Sequence, residues 1–284
     1  MRNPRAAHSG RRALLLAFGP MPSLSPEVSV AIRAAERGAD VVRAAGLEAR
    51  IPVQAKALPG DYVTEVDVAA ERAIATLLKA EGGGVGVHGE EGGGVDIADA
   101  WVVDPLDGTT NFAHGFWAVG VSVALVRGGR PVAGAVCAPF IGQTWAAGHG
   151  EGAWLLRDGQ REGPVRLTVS EREVGRAVVT TGFPFRRKEL LARYLRTFEG
   201  ALSTFEDLRR PGAAALDLAW VAEGVFDGFF ELALGPWDVA AGGLLIQEAG
   251  GVVTDWSGGG NWLSGDILAG SARVHEVLVE LTAG

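Results

Sequence analysis

Cysteine is nearly missing from this chain. Cys137 is the single one in 284 residues, so no intrachain disulfide can form. It lies in the apolar run Pro131-Val-Ala-Gly-Ala-Val-Cys137-Ala-Pro139, where a core thiol is expected, and a reducing cytoplasm is the expected compartment. Basic charge is also in deficit. A formal net charge of -8 lacks the footprint of a general nucleic-acid binder, so no nucleic-acid partner is expected. No segment is long and apolar enough to span a membrane, although 48% hydrophobic content is ample for the core of one large domain or two fused subdomains. No phosphate-binding loop ending in Gly-Lys-Ser or Gly-Lys-Thr is present, which argues against a nucleotide-hydrolysing motor. Gly84-Val-Gly86-Val-His-Gly89 has the letters of a dinucleotide-binding loop. It follows a helical stretch and precedes more glycine, however, whereas that fingerprint follows a strand and opens a helix.

Residues 101–111, Trp101-Val-Val-Asp104-Pro105-Leu106-Asp107-Gly108-Thr109-Thr110-Asn111, carry the most information. An apolar strand runs into two carboxylates, a glycine and two hydroxyls. Proline has no N–H for a ladder, so the strand is expected to stop and the chain to turn after Asp104. The two acids then converge at the strand's carboxyl end, where open α/β sheets commonly place ligands. Two carboxylates about 4 Å apart repel by roughly 4 kcal/mol at an effective dielectric of 20, so either a cation sits between them or one keeps a proton. The alternative is an Asp-Gly turn in which the aspartates satisfy their own backbone. An aspartyl nucleophile is not indicated. Acids of that type lie two residues apart, and these are three apart with Pro105 between.

Three more acidic stretches each have an ordinary reading of their own. Thr64-Glu65-Val66-Asp67 precedes a helical pattern over 68–79 with Val68, Ile74, Leu77 and Leu78 as its apolar face, so Thr64 or Asp67 caps a helix. Glu90 and Glu91 stand in a glycine-rich loop, where such pairs are usually solvated. In Gly235-Pro236-Trp237-Asp238, Pro236 opens a helix that Gly250-Gly251 ends, and an acid in its first turn suits the helix dipole.

The order and company of these motifs go beyond the separate readings. Thr64-Glu65-Val66-Asp67, Gly89-Glu90-Glu91, Asp104-Pro-Leu-Asp107-Gly-Thr-Thr110 and Trp237-Asp238-Val-Ala-Ala-Gly242 closely resemble the inositol monophosphatase family of Mg2+-dependent, lithium-sensitive phosphatases. So do Arg210-Pro-Gly212 through Glu231 and Ser264-Gly-Asp-Ile-Leu-Ala269, and the resemblance runs from about Ser25 to the C-terminus. It implies two or three Mg2+ ions. The first would lie on Glu90, Asp104 and the Leu106 carbonyl, the second on Asp104, Asp107 and Asp238, with Asp104 bridging. Glu90 or Asp67 would help hold a loosely bound third. It further implies that Asp67, Thr109 and Glu90 orient and deprotonate an attacking water. The N–H groups of Gly108 and Thr109 would face the phosphate. Gly212, Ala213, Glu231 and Asp238 would meet the substrate, Glu231 through a sugar or cyclitol hydroxyl. Ala213 departs from the family pattern, since relatives often carry a small hydroxyl residue there. Lys56 matches a loop lysine near the metals, or is a solvated loop lysine. A homodimer is a further expectation of the resemblance.

The implied fold is a layered αβαβα sandwich of the inositol monophosphatase and fructose-1,6-bisphosphatase type. The expected division is an extension over 1–24, an α+β subdomain over 25–169 carrying most metal ligands, and an α/β subdomain over 170–284 carrying Glu231 and Asp238. The extension holds an Arg-flanked apolar run with no clear cleavage site, and Met21 is an alternative start. Ser25-Pro26-Glu27 opens a helix with Val28, Ala31, Ile32, Ala35, Ala39 and Val42 on one face and Gly46 at its end. Strands over 119–126 and 131–138 flank Gly128-Gly129 as a hairpin, with further strands near Thr144 and Ala153. Beyond Ser170 the pattern gives a strand near Val178, helices over 189–205 and 213–223, a strand at Phe229 and the Trp237 helix. His114 is a lone loop histidine, and Arg186-Arg187-Lys188 and Arg209-Arg210 are basic spots whose default is solvation.

The expected activity is hydrolysis of myo-inositol 1-phosphate or a similar sugar or polyol phosphate by metal-activated water. The alternatives within the superfamily are fructose 1,6-bisphosphate, phosphoadenosine phosphate or NADP. An alternative of another kind is a macromolecular interaction protein with an incidental metal site.

Overall fold

The computed structural model describes residues 24–47, 54–55, 62–159 and 163–283. Lys56 and nearly all of the expected N-terminal extension lie outside them. Helix α1, Pro26–Ala45, begins as expected, with the Ser25 hydroxyl accepting from the Val28 N–H at 3.4 Å and Pro26 in its first turn. Strands β1 (Gln54–Ala55) and β2 (Tyr62–Val63) form a two-stranded antiparallel pair before helix α2, Glu65–Glu81. The α2 face differs from the expected one. Val68 is 46% exposed, and the buried stripe is Val66, Ala70, Ile74 and Leu78, four residues apart, together with Asp67. A capping box between Thr64 and Asp67 turns Asp67 inward, and Val68 is thereby rotated outward.

The larger sheet contains β3 (Val87–Gly89), β4 (Gly93–Gly94), β5 (Ala100–Asp107), β6 (Gly120–Arg127), β7 (Arg130–Ala138), β8 (Gln143–Gly148), β9 (Gly152–Arg157) and β10 (Val165–Arg166) in the order β10-β9-β8-β7-β6-β5-β3-β4. All its pairings are antiparallel except β3 with β5. The short helix α3, Thr109–Ala113, joins β5 to β6. The β6–β7 hairpin turns on Gly128 and Gly129 at φ +53° and +73°, the left-handed pair that a two-residue turn of primed type requires. The Gly84–Gly89 stretch, for which no strand was expected, ends in β3, because its backbone pairs in parallel with residues 101–103.

The smaller sheet contains β11 (Val178–Thr181), β12 (Asp207–Arg209), β13 (Gly228–Glu231), β14 (Val252–Asp255) and β15 (Ile267–Gly270) in the order β12-β11-β13-β15-β14. It is mixed. β11 is parallel to β12 and β13, and β15 is antiparallel to both its neighbours. Its helices are α4 (Leu191–Thr204), α5 (Ala214–Ala222), α6 (Pro236–Glu248) and α7 (Ala272–Ala283).

Strand alternation sets the layers. Val121, Val123 and Leu125 of β6 with Ala133, Ala135 and Cys137 of β7 face α1 and α2, whereas Ala124, Val136 and Ala138 point the other way, into the core built on α5 and α6. In β13, Phe229 joins that same central core and Phe230 faces α4 and α7. The result is five layers: α1 with α2, the larger sheet, α5 with α6, the smaller sheet, and α4 with α7.

The central helical layer is unusually close-packed. A Cβ on Gly242 of α6 would stand 2.5 Å from the Leu218 Cβ of α5, and one on Gly134 of β7 3.1 Å from the Ala241 Cα. Glycine to alanine inside a helix ordinarily gains up to about 1 kcal/mol. Gly242→Ala is expected instead to lose about 1–3 kcal/mol through overpacking, measured by denaturant unfolding. A variant as stable as the parent would contradict this account of the layer.

Candidate active site

Asp104 and Asp107 lie three apart on one strand, and in a regular strand that separation sends side chains to opposite faces. Contrary to the expected stop at Pro105, β5 continues to Asp107, and the register resolves the problem. Asp104 pairs with Ser122 and Asp107 with Gly120, so Pro105 and Leu106 oppose Val121 alone. This β-bulge adds the residue that swings both carboxylates to one side, and Pro105 is tolerated where ladder pairing is interrupted. Asp238, from the first turn of α6, meets them there. Ligand oxygens of Asp104, Asp107 and Asp238 lie within 4.8 Å of one another, and all three residues are buried.

Each acid is tethered through backbone. The Asp104 Oδ1 accepts from the Leu106 N–H at 2.9 Å, the Asp107 Oδ2 from Ala215 at 2.8 Å, and the Asp238 Oδ2 from Gly235 at 2.6 Å. Asp107 thereby caps α5 from a distant strand, at a helix whose own preceding residue, Ala213, offers no side-chain cap. Burial raises the Asp104 carboxyl well above the usual carboxylate range, reinforced by Glu90, Asp107 and Asp238. Burial, then Asp238, pushes Asp107 up to about 8, and burial, then Glu90, pushes Asp238 to about 6. Without a cation, burial and mutual crowding therefore favour the protonated forms of these acids. Three converging carboxylates are hard oxygen donors, a set that fits Mg2+.

A second constellation stands beside the first. The Thr64 N–H and hydroxyl both donate to Asp67 Oδ2, at 2.9 and 2.5 Å, which leaves Oδ1 to accept from the Thr109 hydroxyl at 3.0 Å. The Leu106 carbonyl lies 3.2 Å from the same hydroxyl. Burial raises the Asp67 carboxyl, opposed by hydrogen bonds from Thr64 and Thr109. Gly108, at φ +89°, precedes α3, and a Cβ there would lie 3.1 Å from the Ala118 carbonyl oxygen and 3.2 Å from the Ala213 Cβ.

Glu90, Asp104, Leu106, Asp107, Gly108, Thr109, Gly212, Glu231 and Asp238 line one cavity of about 560 Å3, with Phe183, Phe185, Arg186, Arg187, Lys188 and Arg210 among its other walls. Asp67 is buried behind Thr109, outside the lining. Ala213 is also outside it, buried beneath Gly108, while its neighbours Gly212 and Ala214 reach the cavity. His114 is exposed and does not line the cavity. Burial, then the Asp238 charge, pushes the Glu231 carboxyl up to about 8, with Arg210 opposing.

Several supporting residues escaped the sequence reading. The Asn111 amide donates to the carbonyls of Ala118 and Pro211, at 2.7 and 2.9 Å, tying the α3 loop to the Gly212 loop. The Ser122 hydroxyl donates to the Trp237 carbonyl at 2.9 Å, anchoring α6 to β6 beside Asp238. The Arg210 guanidinium sits over the rings of both Phe183 and Phe185, which couples a basic spot expected to be solvated to the cavity wall. Apart from the Asn111–Ala118 bond, these contacts span 25 to 115 positions, for which no local pattern exists, although the Asn111 side chain in a turn sequence was a usable cue.

Residues 23–283 match the inositol monophosphatase family. The chain belongs to that family. It is 38% identical over 261 residues to the Nus factor SuhB of Escherichia coli K12, covering 90% of this chain and 95% of that one. It is 41% identical over 264 residues to the putative Nus factor SuhB of Neisseria meningitidis serogroup B, covering 91% and 98%. Among solved structures, the extragenic suppressor protein suhB of Bartonella henselae superposes with a TM-score of 0.82 at 34% identity, covering 91% of this chain and 98% of that one. An IMPase of Thermotoga maritima gives 0.78 at 29%, covering 90% and 96%. Membership of the inositol monophosphatase family supports a metal-binding phosphatase, and these neighbours share the layered sandwich described above.

The raised carboxyls have a consequence for this family member's stability. In the unfolded chain an aspartate titrates near about 3.9, so raised folded values mean that the native state binds more protons. Their contribution is full below the unfolded value and is lost as pH rises through about 6 and about 8. The melting temperature of chelated protein is expected to fall between about pH 5 and pH 8, with Mg2+ restoring it at the upper end. A level profile without metal, or no response to Mg2+, would count against the clustered-acid account.

Proposed function

We propose that this protein is a Mg2+-dependent phosphomonoesterase acting on myo-inositol 1-phosphate or a similar polyol phosphate. The observation that carries the reading is the convergence of Asp104, Asp107 and Asp238 in one cavity whose wall includes Thr109, with Asp67 hydrogen-bonded behind it. On this reading Asp104 would be shared by two ions, which Glu90 and the Leu106 carbonyl on one side and Asp107 and Asp238 on the other would help to hold. When bound, Mg2+ supplies Lewis acidity toward phosphoryl oxygens and acidifies a nearby water. The chain's own groups do the rest. The Thr109 hydroxyl donates its hydrogen to Asp67, so its oxygen is free to accept a proton from the attacking water while its own proton passes to Asp67. Glu90 helps orient that water from the same cavity. The backbone N–H groups of Gly108 and Thr109, at the entry to α3, hold the phosphate oxygens.

Substrate choice is assigned to Glu231. It is half-buried in the cavity wall, within the electrostatic reach of Asp238 and Arg210, and suits a hydrogen bond to a polyol hydroxyl. Gly212 supports this wall at φ +89°, and Ala213 acts on it only through packing beneath Gly108. A second reading, service as a partner of another macromolecule, is favoured by the name Nus factor carried by curated relatives. The two readings separate on the metal site, since a partner role survives loss of a bridging carboxylate and catalysis does not.

Phosphate release should be measured with Mg2+ on inositol 1-phosphate, glycerol 2-phosphate, fructose 1,6-bisphosphate, phosphoadenosine phosphate and NADP. Asp104→Asn is expected to lower turnover at least about a hundredfold, a loss of roughly 3 kcal/mol of transition-state stabilisation. Near-normal turnover would refute the bridging role. Glu231→Gln is expected to raise KM for inositol 1-phosphate more than for glycerol 2-phosphate, and equal changes on both would remove Glu231 from substrate selection. No Mg2+-dependent release from any of the five would make the partner reading the leading one.

A further inference from the structure

Glu71 belongs to none of the sequence motifs, yet it touches two of them. It stands four residues after Asp67, one turn along α2 on the same face. Its carboxylate accepts from the Glu91 N–H at 2.9 Å with one oxygen and from the Gly92 N–H at 2.8 Å with the other. The preceding amide, that of Glu90 itself, donates to the Val103 carbonyl of β5 at 3.0 Å. Three consecutive amides are thus fixed, one by the strand that carries Asp104 and two by the helix that carries Asp67. The glycines around the loop make room for this clamp. A Cβ on Gly89 would come 2.3 Å from a Glu71 carboxylate oxygen, and one on Gly92 would come 2.7 Å from the other.

Glycine-rich backbone is otherwise free to sample many conformations, and Glu90 directly follows Gly89 and stands two residues before Gly92-Gly93-Gly94. A ligand on such a loop binds a cation well only if the ordering is already done before the ion arrives. We propose that Glu71 is a positioning residue for the cation site: by clamping the amides of Glu91 and Gly92 it holds the Glu90 carboxylate in place for the ion. It also makes one turn of α2 the common support of Glu90 and Thr109. The inference rests on the metal-dependent phosphatase reading, and it concerns a residue that touches neither ion nor substrate.

The test uses Glu71→Gln, which keeps shape but places an NH2 group against an amide donor, and Gly89→Ala, which pushes the carboxylate off the loop from the other side. Mn2+ binding is followed by electron paramagnetic resonance, alongside the Mg2+ dependence of phosphate release and the melting temperature of chelated protein. Both variants are expected to bind Mn2+ about tenfold or more weakly, the usual effect of losing a group that orients a ligand. The Mg2+ needed for half-maximal activity should rise in parallel, with turnover at saturating Mg2+ much less affected. Parental Mn2+ affinity in both variants, whatever happens to their melting temperatures, would leave Glu71 as a purely structural residue and overturn the proposal. A parent protein that binds no Mn2+ would instead overturn the phosphatase reading, and this inference with it.

Discussion

Mutual repulsion among buried carboxylates is the constraint around which this molecule is arranged. Asp104 and Asp107 of β5 and Asp238 of α6 are held within a few ångströms of each other, out of water, each tethered by a backbone N–H. At an effective dielectric of 20 each such pair costs about 4 kcal/mol if both are charged, comparable to a sizeable share of a domain's net stability. The fold answers with oriented backbone. Asp107 lies at the N-terminus of α5, Asp238 in the first turn of α6 and Asp67 in the first turn of α2, so three helices direct positive dipole ends toward the acids. The tethers also leave part of each carboxylate uncommitted, and that remainder is what a divalent cation would use.

The layered architecture follows from the need to bring those helix ends to one strand end. α5 and α6 lie between the two sheets, and both begin beside the carboxyl end of β5. Such a layer must be thin to keep Asp107 and Asp238 in reach of one another. The sequence achieves this with Gly134, Gly242 and Gly243 at helix and sheet contacts where a larger residue has no space. The conformational entropy these glycines lose on folding is offset in the interior of the fold by the close approach of the elements that carry the acids.

What could be read in the sequence was local. The capping residues, the Gly128-Gly129 hairpin, the Pro236 helix start and the ordered acidic motifs all act within a few residues, where chain chemistry and geometry are directly linked. Failures came where tertiary pairing decides. Pro105 signals a strand end locally, but a bulge against β6 lets β5 run on to Asp107, and that bulge is what makes a three-residue spacing of acids converge. Val68 fits a helical apolar face by count, yet the Thr64–Asp67 box fixes the rotation of α2 and turns it to solvent. Short β3 needed the β5 backbone to exist at all. Asn111, Ser122 and Glu71 look like any polar residue until the partners 20 to 115 positions away are placed beside them.

The hydrogen bonds around Thr109 carry the argument one step further. A hydroxyl has one hydrogen, and here two acceptors compete for it, the Asp67 carboxylate at 3.0 Å and the Leu106 carbonyl at 3.2 Å. A carboxylate is the stronger acceptor, and its second oxygen is already saturated by Thr64, so Oδ1 is the position that remains for Thr109. The polarity of the hydroxyl is therefore set by the cap of α2, a feature formed for helix stability. On the proposed reading that polarity also gives proton transfer a direction, from water to Thr109 to Asp67. Burial of Asp67 makes its carboxylate a better base than an exposed one. On that reading one capping box supplies helix initiation, the rotation that buries Asp67, and the base behind the attacking water, which would explain why Thr64 and Asp67 stand together with Thr109 at the site rather than only at a helix end.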